Sequence, residues 1–281
     1  LMRSVLAEGR YDQQAFIEAF IDHLATPGRN RDPYTEIYIR RWFEQYTRGM
    51  PPHACAELQR RTWSIGSHGG IIRPLVLSLL AASPYQGIGQ AIEHQNLTHR
   101  SENNIAALSV LVPLLQELIS GQNGEETTVN FARQVRMPKV TGKHLFDQYR
   151  KSKGPGNIPP EEMWQLHTRL EELPMDIPRL LNEFEEETLT RKRLATACYP
   201  EHGLPMLLYI AVRHGFDLQA ALLANANAGG DNVHRGMVLG LLVGAANRDV
   251  PQSLQTGLLD YTALAKEIEA FAEMAATSNV F

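Results

Sequence analysis

Apolar residues recur along most of this chain at steps of three and four, the repeat of an α-helix with one face turned inward. In YDQQAFIEAFIDHLA, Phe16, Ile17, Phe20, Ile21 and Leu24 form one stripe. PYTEIYIRRWFEQYTRG repeats the pattern with Ile39, Trp42, Phe43 and Tyr46, and Gly49 is a plausible stop. Further helices are expected in GIIRPLVLSLLAA, GIGQAIEHQNLTH, NNIAALSVLVPLLQELISG and PPEEMWQLHTRLEEL, and then in IPRLLNEFEEETLTRKRLATACY, GLPMLLYIAVRHG, DLQAALLANANAGG and DYTALAKEIEAFAEMAA. Alternation with a period of two is almost absent. The best strand candidate, ETTVNFARQV, is short and suits a helix as well. The pattern predicts an all-α chain of roughly a dozen helices.

Turn-rich connectors fall at ATPGRNRDP, SGQNGEETT and RKSKGPGNIPPEE. The last is either a linker or a loop folded over a site, where Lys151 and Lys153 could meet an anion. The apolar character is alike on both sides of it, which favours one compact multi-helix domain over residues 1–281. No repeat of 20–50 residues is visible, so a helical solenoid is disfavoured. The opening LMRSVLAEG reads as the end of a helix with no N-cap before it, so further residues are expected upstream of Leu1.

Composition narrows the function classes. Hydrophobic residues make up 43% of the 281, enough for a sizeable core. The formal charge is −4 with no basic block, which argues against a nucleic-acid surface. The two cysteines, Cys55 and Cys198, fit no metal pattern and suit a reduced, cytoplasmic protein. No apolar run is expected to reach the roughly 20 residues that span a bilayer, so no membrane partner is expected.

Three stretches could carry chemistry. In NANAGGDNVHRGMVLGLLVGAA, Gly229 and Gly230 precede Asp231 at a helix start, and His234 and Arg235 follow within one turn. The plain reading makes Asp231 an N-cap on a buried central helix whose Gly236, Gly240 and Gly244 admit a close neighbour. The chemical reading adds an anion at the free N–H donors, an Arg235 contact to phosphate, and Asp231 as base or metal ligand. In SIGSHGGIIRPLVL, Gly66, Ser67, His68, Gly69 and Gly70 form a turn that lacks the Lys-Ser/Thr of a phosphate-binding Walker loop. Arg73, in an apolar setting, needs a partner, most simply an acid. In AIEHQNLTHRSENN, His94 and His99 share no helical face, and Ser101-x-x-Asn104 looks like a fresh N-cap.

Taken in order, SIGSHGGIIRPL, NLTHRSENN and NANAGGDNVHRGMVLGLLVGAA resemble the motifs of the ADP-ribosylglycohydrolase family, in the branch that includes the J-crystallins. The resemblance implies a compact all-α fold and hydrolysis of an N- or O-glycosidic bond to ADP-ribose, usually with two Mg²⁺ ions. It implies that Ser64, Gly66, Ser67 and His68 line the ligand loop, with His99, Gly229 and Gly230 beside them. Asp231 would orient water or hold a metal, and His234 and Arg235 would contact phosphate or stabilise the leaving group, with Asp231 and His234 as the catalytic residues.

The departures alter that expectation. Val233 stands where the family has its second acid, His234 where it has a threonine, and His68 where it has an asparagine. The family's N-terminal Thr-Asp-Asp motif has no counterpart from Leu1 onward. At most one weakly held Mg²⁺ is therefore expected, with an ADP-ribose-like or other ribosyl molecule as partner. The alternative is a catalytically degenerate ligand-binding or structural protein, crystallin-like, on the same fold.

Overall fold

The computed structural model describes residues 1–32, 34–57, 66–135, 137, 175–194 and 196–278, and every regular element among them is helical. The chain opens with α1 (Met2–Glu8), α2 (Gln13–Ala25) and α3 (Ile37–Thr47). Single 3₁₀ turns follow at Pro52–Ala54 and His68–Gly70. Next come α4 (Ile72–Ser78), α5 (Pro84–Asn96), α6 (Glu102–Ser120) and α7 (Gly124–Ala132). Then α8 (Ile177–Glu183) leads, through a short helical run that ends in the π turn Leu189–Arg193, to α9 (Pro200–Arg213). The chain continues through α10 (Leu218–Ala228), α11 (Asn232–Asn247), α12 (Gln252–Thr256) and α13 (Tyr261–Ser278). The all-α expectation holds. The strand candidate ETTVNFARQV lies largely in α7, where the Asn123 side chain caps the first turn by accepting from the Glu126 N–H at 2.9 Å. Ser64, the expected helix in PPEEMWQLHTRLEEL and the loop RKSKGPGNIPPEEMW lie outside the described residues.

Helix starts follow their side chains. Asp12, Ser83, Ser101 and Asp217 each accept from a backbone N–H of the first turn, a cap worth about 0.5–2 kcal/mol apiece. The junction read from SENN is therefore real: Ser101 caps α6 through the Asn104 N–H at 3.3 Å.

The fold has a different centre from the one expected. α9 is buried all round from Pro200 to Val212, as suits a helix apolar on every side. α11 is amphipathic: Val238, Leu239, Leu242 and Val243 are buried while Val233 is 68% exposed. Nor do its glycines form one close seam. A Cβ at Gly236 would meet the Asn225 side chain at 2.8 Å. At Gly240 it would make ordinary contact with Leu222, and at Gly244 it would meet nothing. The four-residue spacing is present, but α10 diverges from α11 beyond Gly236.

α6 corrects another expectation. At 19 residues it is long and apolar enough, by length and composition, to cross a membrane. Its Leu108, Leu111, Leu114, Leu115 and Leu118 are wholly buried in the core with α9 and α11, so it reads as the core helix of a folded domain. Against this core α2 and α3 form an aromatic layer of Phe20, Trp42, Phe43 and Tyr46. The Trp42 indole N–H donates to the Leu97 carbonyl at 2.9 Å. That bond pins α3 to the end of α5, and the start of α3 thereby faces the turn at residues 66–70.

Candidate active site

Ser67, His68, His99, Asp231 and His234 come together, around a residue that sequence reasoning passed over. Glu36 sits at the start of α3, and its side chain caps nothing there. One carboxylate oxygen accepts from the Ser67 hydroxyl. The other lies 2.9 Å from His99 Nε2. Burial alone would raise this carboxyl, but His99 and Ser67 hold it below the ordinary glutamate range.

The hydrogen bonds around His99 settle its tautomer. Arg73 has only donors, so the Thr98 hydroxyl oxygen accepts from it, at 2.6 Å. The ionised Glu36 can only accept, so Nε2 is the donor toward it, and in the neutral ring the Thr98 hydroxyl donates to His99 Nδ1, 2.8 Å away. In the neutral ring the proton is thus on Nε2, aimed at Glu36. Tyr38 stacks on the His99 ring with centroids 4.7 Å apart, and its hydroxyl accepts from the Gly66 N–H at 2.9 Å.

The glycine turn is held from behind by Asn104. Its Oδ1 accepts from the Ser67 N–H and its Nδ2 donates to the Ser67 carbonyl, both at 3.0 Å. His68 points inward and is fully buried. Its ring lies directly over Gly203, where a Cβ would come within 1.9 Å of it. Burial pushes the imidazole down, only partly offset by Asp231, so it is neutral. His68 Nδ1 is 3.5 Å from Asp231 Oδ2, long for a hydrogen bond. Cys198, whose carbonyl accepts from the His68 N–H, has its thiol pushed up to about 12 by burial and then by Glu36 and Asp231. Cys55 and Cys198 are both free.

Asp231 opens α11 as expected, yet its carboxylate caps nothing. It takes His234 Nδ1 at 2.8 Å. That bond raises the His234 imidazole above its ordinary value, against burial. Asp231 itself is held well below the aspartate range: burial opposes this, and its bond to His234 together with the nearby His68 ring prevails. Gly230, at φ +65°, turns the chain into α11; a Cβ there would strike the Thr196 carbonyl at 2.1 Å.

The phosphate contact expected of Arg235 does not fit the structure. The side chain is fully buried. Its guanidinium donates to Asn225 Oδ1 at 2.7 Å and to the Gly229 and Asn225 carbonyls at 2.9 and 3.3 Å. Arg235 holds the Gly229–Gly230 turn from inside. His94 is likewise structural, buried beside Phe16 with its Nδ1 2.8 Å from the Tyr11 hydroxyl.

Glu36, Gly69, Arg73, His99 and His234 open onto a cavity of about 240 Å³, with Asp32, Tyr34 and Thr35 on its outer side. Ser67, His68 and Asp231 stand behind that wall. A larger groove of about 600 Å³ between α2 and α3 shares Leu24, Tyr34 and Thr35 with it.

Hard cations take several carboxylate, carbonyl or water oxygens. Among the described residues no three His, Cys, Asp or Glu side chains converge on a point that would hold an ion. Both Glu36 oxygens and Asp231 Oδ1 are engaged with side chains of the protein, while Asp231 Oδ2 is buried without a hydrogen-bond partner. Exposed Val233 supplies no donor. This donor set does not fit two Mg²⁺ ions; it leaves one carboxylate oxygen over.

Glu36 was missed because a glutamate at the start of an amphipathic helix is commonplace. Its one signal is that Thr35-Glu36 leads directly into the α3 stripe.

No curated protein matches the chain. A family model described as ADP-ribosylglycohydrolase matches residues 1–280. With the glycine turn, the Thr98-His99 junction and the Gly-Gly-Asp helix start gathered in one region of the fold, the chain belongs to the ADP-ribosylglycohydrolase family.

Proposed function

We propose that this protein hydrolyses the glycosidic bond of an ADP-ribosyl or related ribosyl ligand, using two carboxylate–imidazole pairs in place of a two-metal centre. The observation that carries the reading is the pairing of Glu36 with His99 and of Asp231 with His234, with His99, Glu36 and His234 on one cavity wall. Glycoside cleavage passes through an oxocarbenium-like state with positive charge on the sugar. Two ionised carboxylates beside it stabilise that charge. His234, whose imidazolium Asp231 stabilises, donates its proton to the departing oxygen or nitrogen as the C–N or C–O bond breaks. Water adds to the sugar carbon, and its proton passes through Glu36 to solvent while His234 is reprotonated. Positioned acid–base help of this kind is worth roughly 10²–10⁴-fold. At most one Mg²⁺ takes part, weakly, at Asp231.

The test is hydrolysis of ADP-ribosyl-arginine and of an O-linked ADP-ribosyl ester, with Mg²⁺ and with chelator, for wild type, Glu36→Gln and Asp231→Asn. Turnover that survives chelation and falls at least 10²-fold in both variants is expected. Strict dependence on Mg²⁺, with rates typical of a two-metal enzyme, would overturn the reading.

One observation favours a second reading. Both oxygens of Glu36 are already engaged by Ser67 and His99, as in a site retained for binding or structure, crystallin-like, rather than turnover. Tight ADP-ribose binding with no hydrolysis of either substrate would select it.

A further inference from the structure

The cavity contains a charge that the proposed chemistry does not use. Arg73 is the second residue of α4 and lines the cavity floor. An acid partner was the expectation for it, yet among the described residues no carboxylate oxygen lies within ion-pair distance. Its contacts are the Thr98 hydroxyl at one Nη and the faces of Phe16 and Phe20, each 5.6 Å from the guanidinium carbon. Its Nε is buried with no hydrogen-bond partner. Burial pushes the group down to about 10, with Glu36 opposing from a distance. A partly buried guanidinium with one donor buried and unpaired and no contacting counter-ion is costly. Two aromatic faces recover part of that cost, and an oxyanion entering the cavity would recover more.

We infer that Arg73 is the anchor for an anionic group of the ligand, a phosphate oxygen, in the cavity beside Glu36 and His99. The fork geometry suits this, because guanidinium meets phosphate or carboxylate through two parallel N–H donors. Thr98 holds one Nη, which orients the fork and leaves Nε among the free donors. His234, whose imidazolium Asp231 stabilises, lines the same cavity and adds attraction. Glu36 would repel an anion placed against it, but both its oxygens are engaged by donors. The ligand therefore lies with its sugar hydroxyls toward Glu36 and its phosphate toward Arg73. This rests on the proposed function only for the choice of sugar; a phosphate preference can hold in a protein that hydrolyses nothing.

The experiment is calorimetric titration of the whole chain with matched pairs, ribose 5-phosphate against ribose and ADP against adenosine, for wild type, Arg73→Lys, Arg73→Gln and Thr98→Val. Wild type is expected to prefer each phosphorylated member by at least 10-fold. Arg73→Gln should lose most of that preference while its affinity for adenosine stays within about threefold. Arg73→Lys should keep part of it, since charge survives and the fork does not, and Thr98→Val should lower it several-fold. A merely structural arginine would weaken both members of each pair alike. If Arg73→Gln fails to fold, the Lys and Val variants carry the same comparison. An unchanged preference in the Arg73 variants, no phosphate preference in wild type, or no binding of either phosphate ligand would overturn the inference. Glucuronate bound more tightly than glucose 6-phosphate would overturn phosphate as the source of the anion.

Discussion

Glu36 and Asp231 occupy the same position on two different helices, the first residue before the opening turn, and in both the carboxylate engages a histidine side chain, Glu36 the distant His99 and Asp231 the His234 of its own first turn. A carboxylate at that position ordinarily accepts from the first-turn N–H groups. Here each forgoes the cap and takes an imidazole instead, and Asp231 raises the one it holds.

The pairing fixes a pH response. Asp231 raises His234, so its imidazolium persists further into the neutral range than a free histidine. A group whose folded value is raised contributes stability that is complete below its unfolded value and is lost as pH rises through the folded one. Activity that needs the imidazolium should fall over the same alkaline limb. Asp231→Asn removes the raising partner, so that limb should move to lower pH and the maximal rate should drop roughly 10²-fold or more. A pH–rate profile of the two proteins checks this; an unmoved limb assigns the proton to another group.

Glu201 makes the opposite case. It is buried in the first turn of α9 with one oxygen on the Asn103 amide at 2.9 Å and the other without a partner. Burial pushes its carboxyl up to about 7. The folded state therefore holds a proton that the unfolded chain has released, and stability falls as pH rises from about 4.5 to 7. The loss amounts to about 3 kcal/mol at full ionisation. Glu201→Gln should abolish it, leaving the variant the more stable protein at pH 8. Denaturant melts at pH 5 and pH 8 measure the difference; equal pH dependence in both proteins contradicts it.

Two glycines in neighbouring helices should respond in opposite ways. Gly203→Ala forces a Cβ into the His68 ring and should cost roughly 1–3 kcal/mol or more, with loss of ligand affinity as His68 is displaced. Gly244→Ala meets open space in a helix interior and should be neutral or stabilising by up to about 1 kcal/mol. Thermal melts of the two variants, with ADP-ribose titration of the first, decide the matter.

The metal expectation rests on the single unpartnered oxygen of Asp231. Calorimetry with Mg²⁺ should show one weak site at most in wild type and none in Asp231→Ala. Two tight sites would restore the family's usual metal chemistry.

The helices were legible because a buried face repeats at the helical period. The three junctions were legible because glycine, serine and histidine seldom interrupt such a face without cause. Two things were not. Glu36 reaches the site only through the α3–α5 packing that Trp42 secures, and no local pattern encodes a contact between residues 36 and 99. Arg235 was read from its neighbours as a ligand group, whereas its environment is set by Asn225, ten residues earlier. The close glycine seam failed for a related reason: spacing shows which face glycines share, but the angle between two helices determines how far along them that face is used.

His68 lies against Gly203, and Gly203 belongs to the helix with no solvent-facing side. An imidazole buried that closely against such a helix is expected to reorient only with local opening around it. Substitutions deep in α9, far from any ligand, should therefore register first as altered exchange kinetics at the His68 ring, and only later as a lowered melting temperature.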